Sequence, residues 1–87
     1  MRICLIKPPQ IVPLDWGRQP PIQPLGLAYL AAVLEKKHEV IILDAQAEGW
    51  DRVQKIGDKR YFGLPPEEIE KKIRAFNPDL TGISIQF

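Results

Sequence analysis

A parallel α/β fold is what this sequence of 87 residues predicts, on three observations. Apolar runs at Ile3–Ile6 and Val40–Leu43 are continuous rather than alternating, as in strands covered on both faces. Segments with helical spacing of apolar residues separate them from each other and from a third apolar run, Leu80 to Phe87. The resulting order, strand-helix-strand-helix-strand, is that of a parallel sheet joined by crossover helices.

The first strand, Ile3-Cys4-Leu5-Ile6, ends at Lys7-Pro8-Pro9. Its brevity excludes a signal-peptide core or a membrane span, so no membrane is expected and the chain is read as cytoplasmic. Cys4 is the single cysteine, so no internal disulfide is possible, and its apolar neighbours predict a buried structural thiol.

The first helix starts just after Pro24 and runs to Glu35-Lys36-Lys37, with Leu27, Leu30, Ala31 and Leu34 at helical spacing. Because it is apolar on more than one side, it is expected to be largely buried. After the second strand, Val40–Leu43, comes a long segment from Ala45 to Pro65. Within it Trp50, Val53 and Ile56 fit a short helical turn ended by Gly57.

The second long helix is the better punctuated one. Pro66 suits the first helical position, Glu67 and Glu68 face the positive end of the dipole, and Lys71, Lys72 and Arg74 the negative end. Asn77-Pro78 stops it. Ile69, Ile73 and Phe76 make a narrow apolar stripe expected to face the sheet, as Leu27, Leu30 and Leu34 do in the first helix. Glu67/Lys71, Glu68/Lys72 and Glu70/Arg74 are i,i+4 pairs in the favourable order, which predicts an ordinary solvated exterior.

A flavodoxin-like, Rossmann-type three-layer sandwich would place these strands in the order 2-1-3. The two segments leaving strands one and two, Pro8 to Gln23 and Ala45 to Pro65, exceed several times the usual strand-to-helix loop of about 2–6 residues. Both emerge at the carboxyl edge of the sheet, where open α/β sheets bind ligands. A complete sheet of this type has about five strands. Residues 1–87 therefore read as the N-terminal half of such a domain.

Composition narrows the function. Twelve Lys and Arg against eleven Asp and Glu leave a net charge of +1, too little for a phosphate-binding face, so nucleic acid is not an expected partner. Dinucleotide binding needs a Gly-rich turn after the first strand, where this chain has Pro8-Pro9. Gly17 and Gly26 are isolated, and Asp44 is read as a strand-end or capping residue. His38 is the only histidine, and it falls between the first helix and the second strand, at the edge opposite the ligand edge. It is read as answering the helix dipole and as ligating no metal. No zinc spacing, iron–sulfur motif or Ser/His/Asp set is found, so no catalytic residue is assigned.

One composite pattern remains. Pro20-Pro21-Ile22-Gln23-Pro24-Leu25-Gly26-Leu27-Ala28-Tyr29-Leu30-Ala31 is followed by His38-Glu39-Val40, by Ile42-Leu43-Asp44, and by Pro78-Asp79-Leu80-Thr81-Gly82-Ile83-Ser84. With the prolines after the first strand, this resembles the opening of the cobalamin-binding domains that precede radical SAM domains. Lys37 stands where that family usually has glycine. The Asp-x-His-x-x-Gly cobalt-ligating motif of the methionine synthase branch is absent, and Asp15-Trp16-Gly17 contains no imidazole to replace it. Of the Ser-x-Leu that contacts the nucleotide tail in related modules, Ser84 matches and Gln86 does not.

The resemblance implies cobalamin as cofactor, bound without a histidine ligand from this chain; the crevice expected where strand order 2-1-3 reverses would bring Pro8, Pro9, Gln23, Leu25, Gly26 and Ser84 against it. It implies methyl transfer or a related radical reaction by the full-length protein. A 4Fe-4S cluster and S-adenosylmethionine would sit in a downstream radical SAM domain, the partner of this one. Two rival readings stand beside it: a degenerate Rossmann-like domain that only positions substrate or packs on a catalytic domain, and a stand-alone small-ligand or interaction module.

Overall fold

A computed structural model describes residues 1–13 and 24–84. Its central layer is a parallel sheet of β1 (Arg2–Lys7), β3 (Glu39–Asp44) and β6 (Leu80–Ile83), in the order β3-β1-β6. These are the three strands read from the sequence, standing 2-1-3. Arg2 pairs with Glu39 and Lys7 with Asp44, while Ile3 to Ile6 run beside Leu80 to Ile83. The last predicted strand residues, 85–87, lie outside the described residues.

The continuous apolar run of β1 serves two cores, because successive side chains of a strand point to opposite faces. Ile3 and Leu5 meet α1 (Leu25–Leu34) through Ala31, Leu27 and Leu34. Cys4 and Ile6, with Leu43, Ala45 and Leu64, meet α3 (Pro66–Phe76) through Ile69, Ile73 and Phe76. Helices thus cover both faces of the sheet, and each buried Ile or Leu contributes about 1.5–3 kcal/mol.

The first helix departs from expectation. Only Ala31 is buried in α1, and Leu30, expected to face the sheet, is exposed, as are Leu25, Tyr29 and Val33. A helix on one face of a sheet can bury one stripe, here Leu27, Ala31 and Leu34. The rest of this uncharged helix faces outward among the described residues.

The second helix keeps its predicted punctuation, with Pro66 at its start, and Asn77 in the left-handed region (φ 52°) closes it on the carbonyl of Ile73. Its charges are used differently. Glu70 and Arg74 form an i,i+4 pair at 2.6 Å, but Glu68 pairs with Arg52 and Lys72 with Glu48 at 3.2 Å. Those two side chains tie α3 to the elements before it rather than to its own turns.

The two long connections build a second sheet that the sequence reading did not foresee. β2 (Gln10–Pro13), β4 (Val53–Ile56) and β5 (Lys59–Phe62) pair antiparallel in the order β2-β5-β4. Of the helical turn expected at Trp50, Val53 and Ile56, Val53 and Ile56 instead bound the strand β4, and Trp50 lies in the turn ahead of it. Gly57, with φ 59°, opens the two-residue Gly57-Asp58 turn, as a glycine-first hairpin turn requires. Ahead of this hairpin, Asp44 caps the short helix α2 (Ala45–Glu48), its Oδ1 accepting from the amide of Ala47 at 3.0 Å.

At the amino edge Arg2 gathers several chain segments. Its amide donates to Asp79 Oδ2 at 2.8 Å, its Nε to the carbonyl of Phe76 at 2.8 Å, and its guanidinium to Glu39 at 2.6 Å. The same guanidinium lies 4.2 Å from the centre of the Phe76 ring. No helix among the described residues is long and apolar enough to cross a membrane.

Candidate functional site

The carboxyl ends of β1 and β6 open onto a cavity of about 240 Å³, lined by Lys7, Pro8, Pro9, Gln10, Ile11, Gln46 and Ser84. Each wall has a local cause. Pro8 and Pro9 carry no amide hydrogen and break the ladder at the end of β1, so the chain leaves the first sheet and enters β2 two residues later. The amide of Ser84 donates to the carbonyl of Ile6 at 2.9 Å, fixing the exit of β6 beside that of β1. Gln46, in α2, is placed by the Asp44 cap.

The second sheet closes the back of this region. Leu64 donates its amide to the carbonyl of Ala45 at 2.8 Å, and the hydroxyl of Tyr61 donates to the carbonyl of Leu64. Gly63, at φ 133°, fits where a Cβ would stand 2.9 Å from Cβ of Pro9 and 2.8 Å from the oxygen of Ala45. Glycine is what allows the end of β5 to pass this close to the proline wall.

The lining combines exposed Pro8 and Ile11 with buried polar side chains. Lys7 is 3% exposed and Gln46 9%. The Oε1 of Gln10 is buried with no hydrogen-bond partner among the described residues. An orphaned buried acceptor costs about 1–3 kcal/mol, and a ligand that donates to it would remove that cost.

Of the contacts expected from the sequence, Pro8, Pro9 and Ser84 come together here. Leu25 does not line this cavity; it lies with Ala28, Tyr29 and Ala32 on an apolar groove of α1. Gly26 is exposed, with no atom of the described residues within 4 Å of the place a Cβ would take, and it does not line this cavity. Gln23 lies outside the described residues. Lys7, Gln10 and Gln46 were missed by the sequence reading. A lysine ending a buried strand and polar residues just beyond two strand ends were the available signals.

A larger, open depression of about 520 Å³ lies at the amino edge, lined by Met1, Arg2, residues 35–39 and Asp79. It mixes charges of both signs around the Arg2 contacts. His38 belongs there, its Nδ1 accepting from the Met1 amine at 3.2 Å. At about 3.3 Å per residue the two ends of β1 are roughly 17 Å apart, which separates this imidazole from the cavity. Among the described residues no three His, Cys, Asp or Glu side chains gather as a metal site. Burial pushes the Cys4 thiol above its ordinary range, as befits a core residue.

A parallel sheet clothed by helices on both faces, with a cavity where strand order reverses, defines the class of open α/β ligand-binding domains. The chain belongs to the B12 binding domain family, whose profile matches residues 18–87. It is 48% identical over 68 residues to the cytidylyl-2-hydroxyethylphosphonate methyltransferase of Streptomyces wedmorensis, an alignment covering 74% of this chain and 13% of that one. It is 35% identical over 86 residues to an uncharacterized methyltransferase of Pyrococcus horikoshii, covering 97% of this chain and 15% of that one. The chain thus spans about 13% to 15% of the length of these relatives. No solved structure matches it.

Proposed function

We propose that residues 1–87 are the N-terminal half of the cobalamin-binding domain of a radical SAM enzyme that transfers a methyl group or carries out a related radical reaction. The observation that carries the cofactor reading is the cavity at the carboxyl ends of β1 and β6, in a chain of the B12 binding family. The names of the two relatives support methyl transfer. The exposure of Leu80 and Ile83 on the edge strand β6 supports continuation of the sheet beyond this half.

In this reading cobalamin lies across the ends of β1 and β6, against Pro8, Pro9 and Ser84, with Gln23, Leu25 and Gly26 reaching it from the segment before and at the start of α1. The prolines and Leu25 offer apolar surface, and the Ser84 hydroxyl one hydrogen bond. When bound, the cofactor supplies a cobalt centre able to carry a methyl group. This chain orients it, shields it from water and provides no imidazole to the metal. The 4Fe-4S cluster and S-adenosylmethionine belong to the radical SAM domain that partners this one.

Ultraviolet–visible titration of the full-length protein with hydroxocobalamin tests the reading. Saturable change in the corrin bands is expected. A protein that leaves them unchanged at tens of micromolar cofactor is instead a domain that packs on, or positions substrate for, its catalytic partner.

A further inference from the structure

The cavity is too small for the cofactor proposed above. Sites for whole drug-sized ligands occupy about 300–1,000 Å³, whereas this one has about 240 Å³. A site of that volume receives one projecting arm of a larger molecule. What the arm must be follows from the walls.

Gln10 and Gln46 both line the cavity, Gln46 is 9% exposed, and the buried Oε1 of Gln10 has no partner among the described residues. A glutamine side chain offers one acceptor oxygen and two N–H donors. Its full complement is a group that both donates and accepts. A phosphate diester offers acceptors only, so it would leave the Gln10 oxygen facing other oxygens, unpaired and out of water. A primary carboxamide fits both glutamines at once, and Ser84 in the same walls adds a donor suited to its carbonyl.

Resting on the cobalamin reading, we infer that this cavity is a carboxamide subsite: Gln10 and Gln46 grip one of the amide arms that fringe the corrin ring, and not the phosphate of the nucleotide tail. The grip fixes the ring's rotation over the carboxyl edge while Pro8 and Pro9 meet its apolar surface. It also gives a role to β2 and α2, elements that a minimal open sheet does without and that here supply Gln10 and Gln46 to the cavity.

The test uses the full-length protein with two corrinoids, hydroxocobalamin and cobinamide. Cobinamide keeps the amide arms but lacks the nucleotide and its ribose phosphate. Gln10→Leu and Gln46→Leu are each expected to weaken both ligands by the same factor, about three- to tenfold for one lost hydrogen bond. Gln10→Asn and Gln46→Asn, which keep the amide, should lose less, and hydrogen-exchange protection of β2 and β5 reports whether each variant is folded. A loss seen with cobalamin but not with cobinamide assigns the cavity to the tail and overturns the inference. Folded leucine variants that bind both corrinoids at wild-type affinity overturn it as well. A wild-type protein that binds neither corrinoid overturns the cofactor reading itself, and the subsite with it.

Discussion

Gly63 faces Pro9 with no room for a side chain between them: a methyl group there would stand 2.9 Å from the proline Cβ and 2.8 Å from the Ala45 oxygen, in a backbone with φ 133°. Gly63→Ala therefore combines backbone strain, about 1–3 kcal/mol, with a clash against a cavity wall. Faster amide exchange across β4 and β5 and weaker corrinoid binding are expected together. Wild-type exchange in this substitution would show that the hairpin is not held by the contact.

Arg2 predicts a difference between charge and shape. Arg2→Lys keeps the cation but loses the planar fork that reaches Phe76 and Glu39 together. With the arginine side chain 41% exposed, the ion pair itself is screened. A loss of about 1 kcal/mol is expected, mostly from the Phe76 carbonyl and ring contacts. Glu39→Gln should cost less. Denaturant midpoints of the two variants check the order.

Two acidic groups set the alkaline limit. Burial raises the Cys4 thiol above its ordinary value of 9.0, and burial together with the Glu67 charge raises the Tyr61 phenol above 10.0. Both are held protonated by the fold. Their contribution is complete below the unfolded values and is lost as pH rises through the folded ones, because only the unfolded chain releases the protons first. Stability should fall above about pH 9, with less fall in Cys4→Ala, and iodoacetamide should label Cys4 only on unfolding. Rapid labelling of the folded protein at pH 8 would contradict the burial.

His38 sits with the Met1 amine at the edge away from the cavity. His38→Gln is expected to leave the absorption spectrum of bound cobalamin unchanged. A shift of its cobalt-sensitive bands would show a metal ligand.

Gly26 has no neighbour among the described residues within 4 Å of its Cβ position, so their packing tolerates a side chain there. Gly26→Leu should leave helicity intact and still weaken corrinoid binding by occupying the cofactor's space. Ser84→Ala should weaken it by a few-fold to about tenfold. Wild-type affinity in both would remove these residues from the site.

Sequence pattern made the first sheet legible because Ile3 to Ile6 and Val40 to Leu43 are continuous and bounded by prolines, charges or helices. The stripe of Ile69, Ile73 and Phe76 was legible for the same reason. The second sheet was less so. Trp50, Val53 and Ile56 fall three residues apart, which mimics a helix, although Gly57-Asp58 between Val53–Ile56 and Lys59–Phe62 is also a hairpin signal. β2 has only four residues and one of them, Pro13, is a poor strand former; its partner strand lies far along the chain, Gln10 pairing with Phe62 and Pro13 with Lys59. Pro8, Pro9 and Ser84 were placed by strand ends. Gln10 and Gln46 were not, since what brings them together is a pairing between two connections.

The central position of β1 has a consequence for how the chain is made. Arg2 meets Glu39 37 residues later and Asp79 77 residues later. At about 5–20 residues per second of synthesis, the Ile3–Ile6 run emerges several seconds before either flanking strand exists. During that interval the most buried strand of the sheet lacks both of its neighbours, and its apolar run is open to a ribosome-associated chaperone.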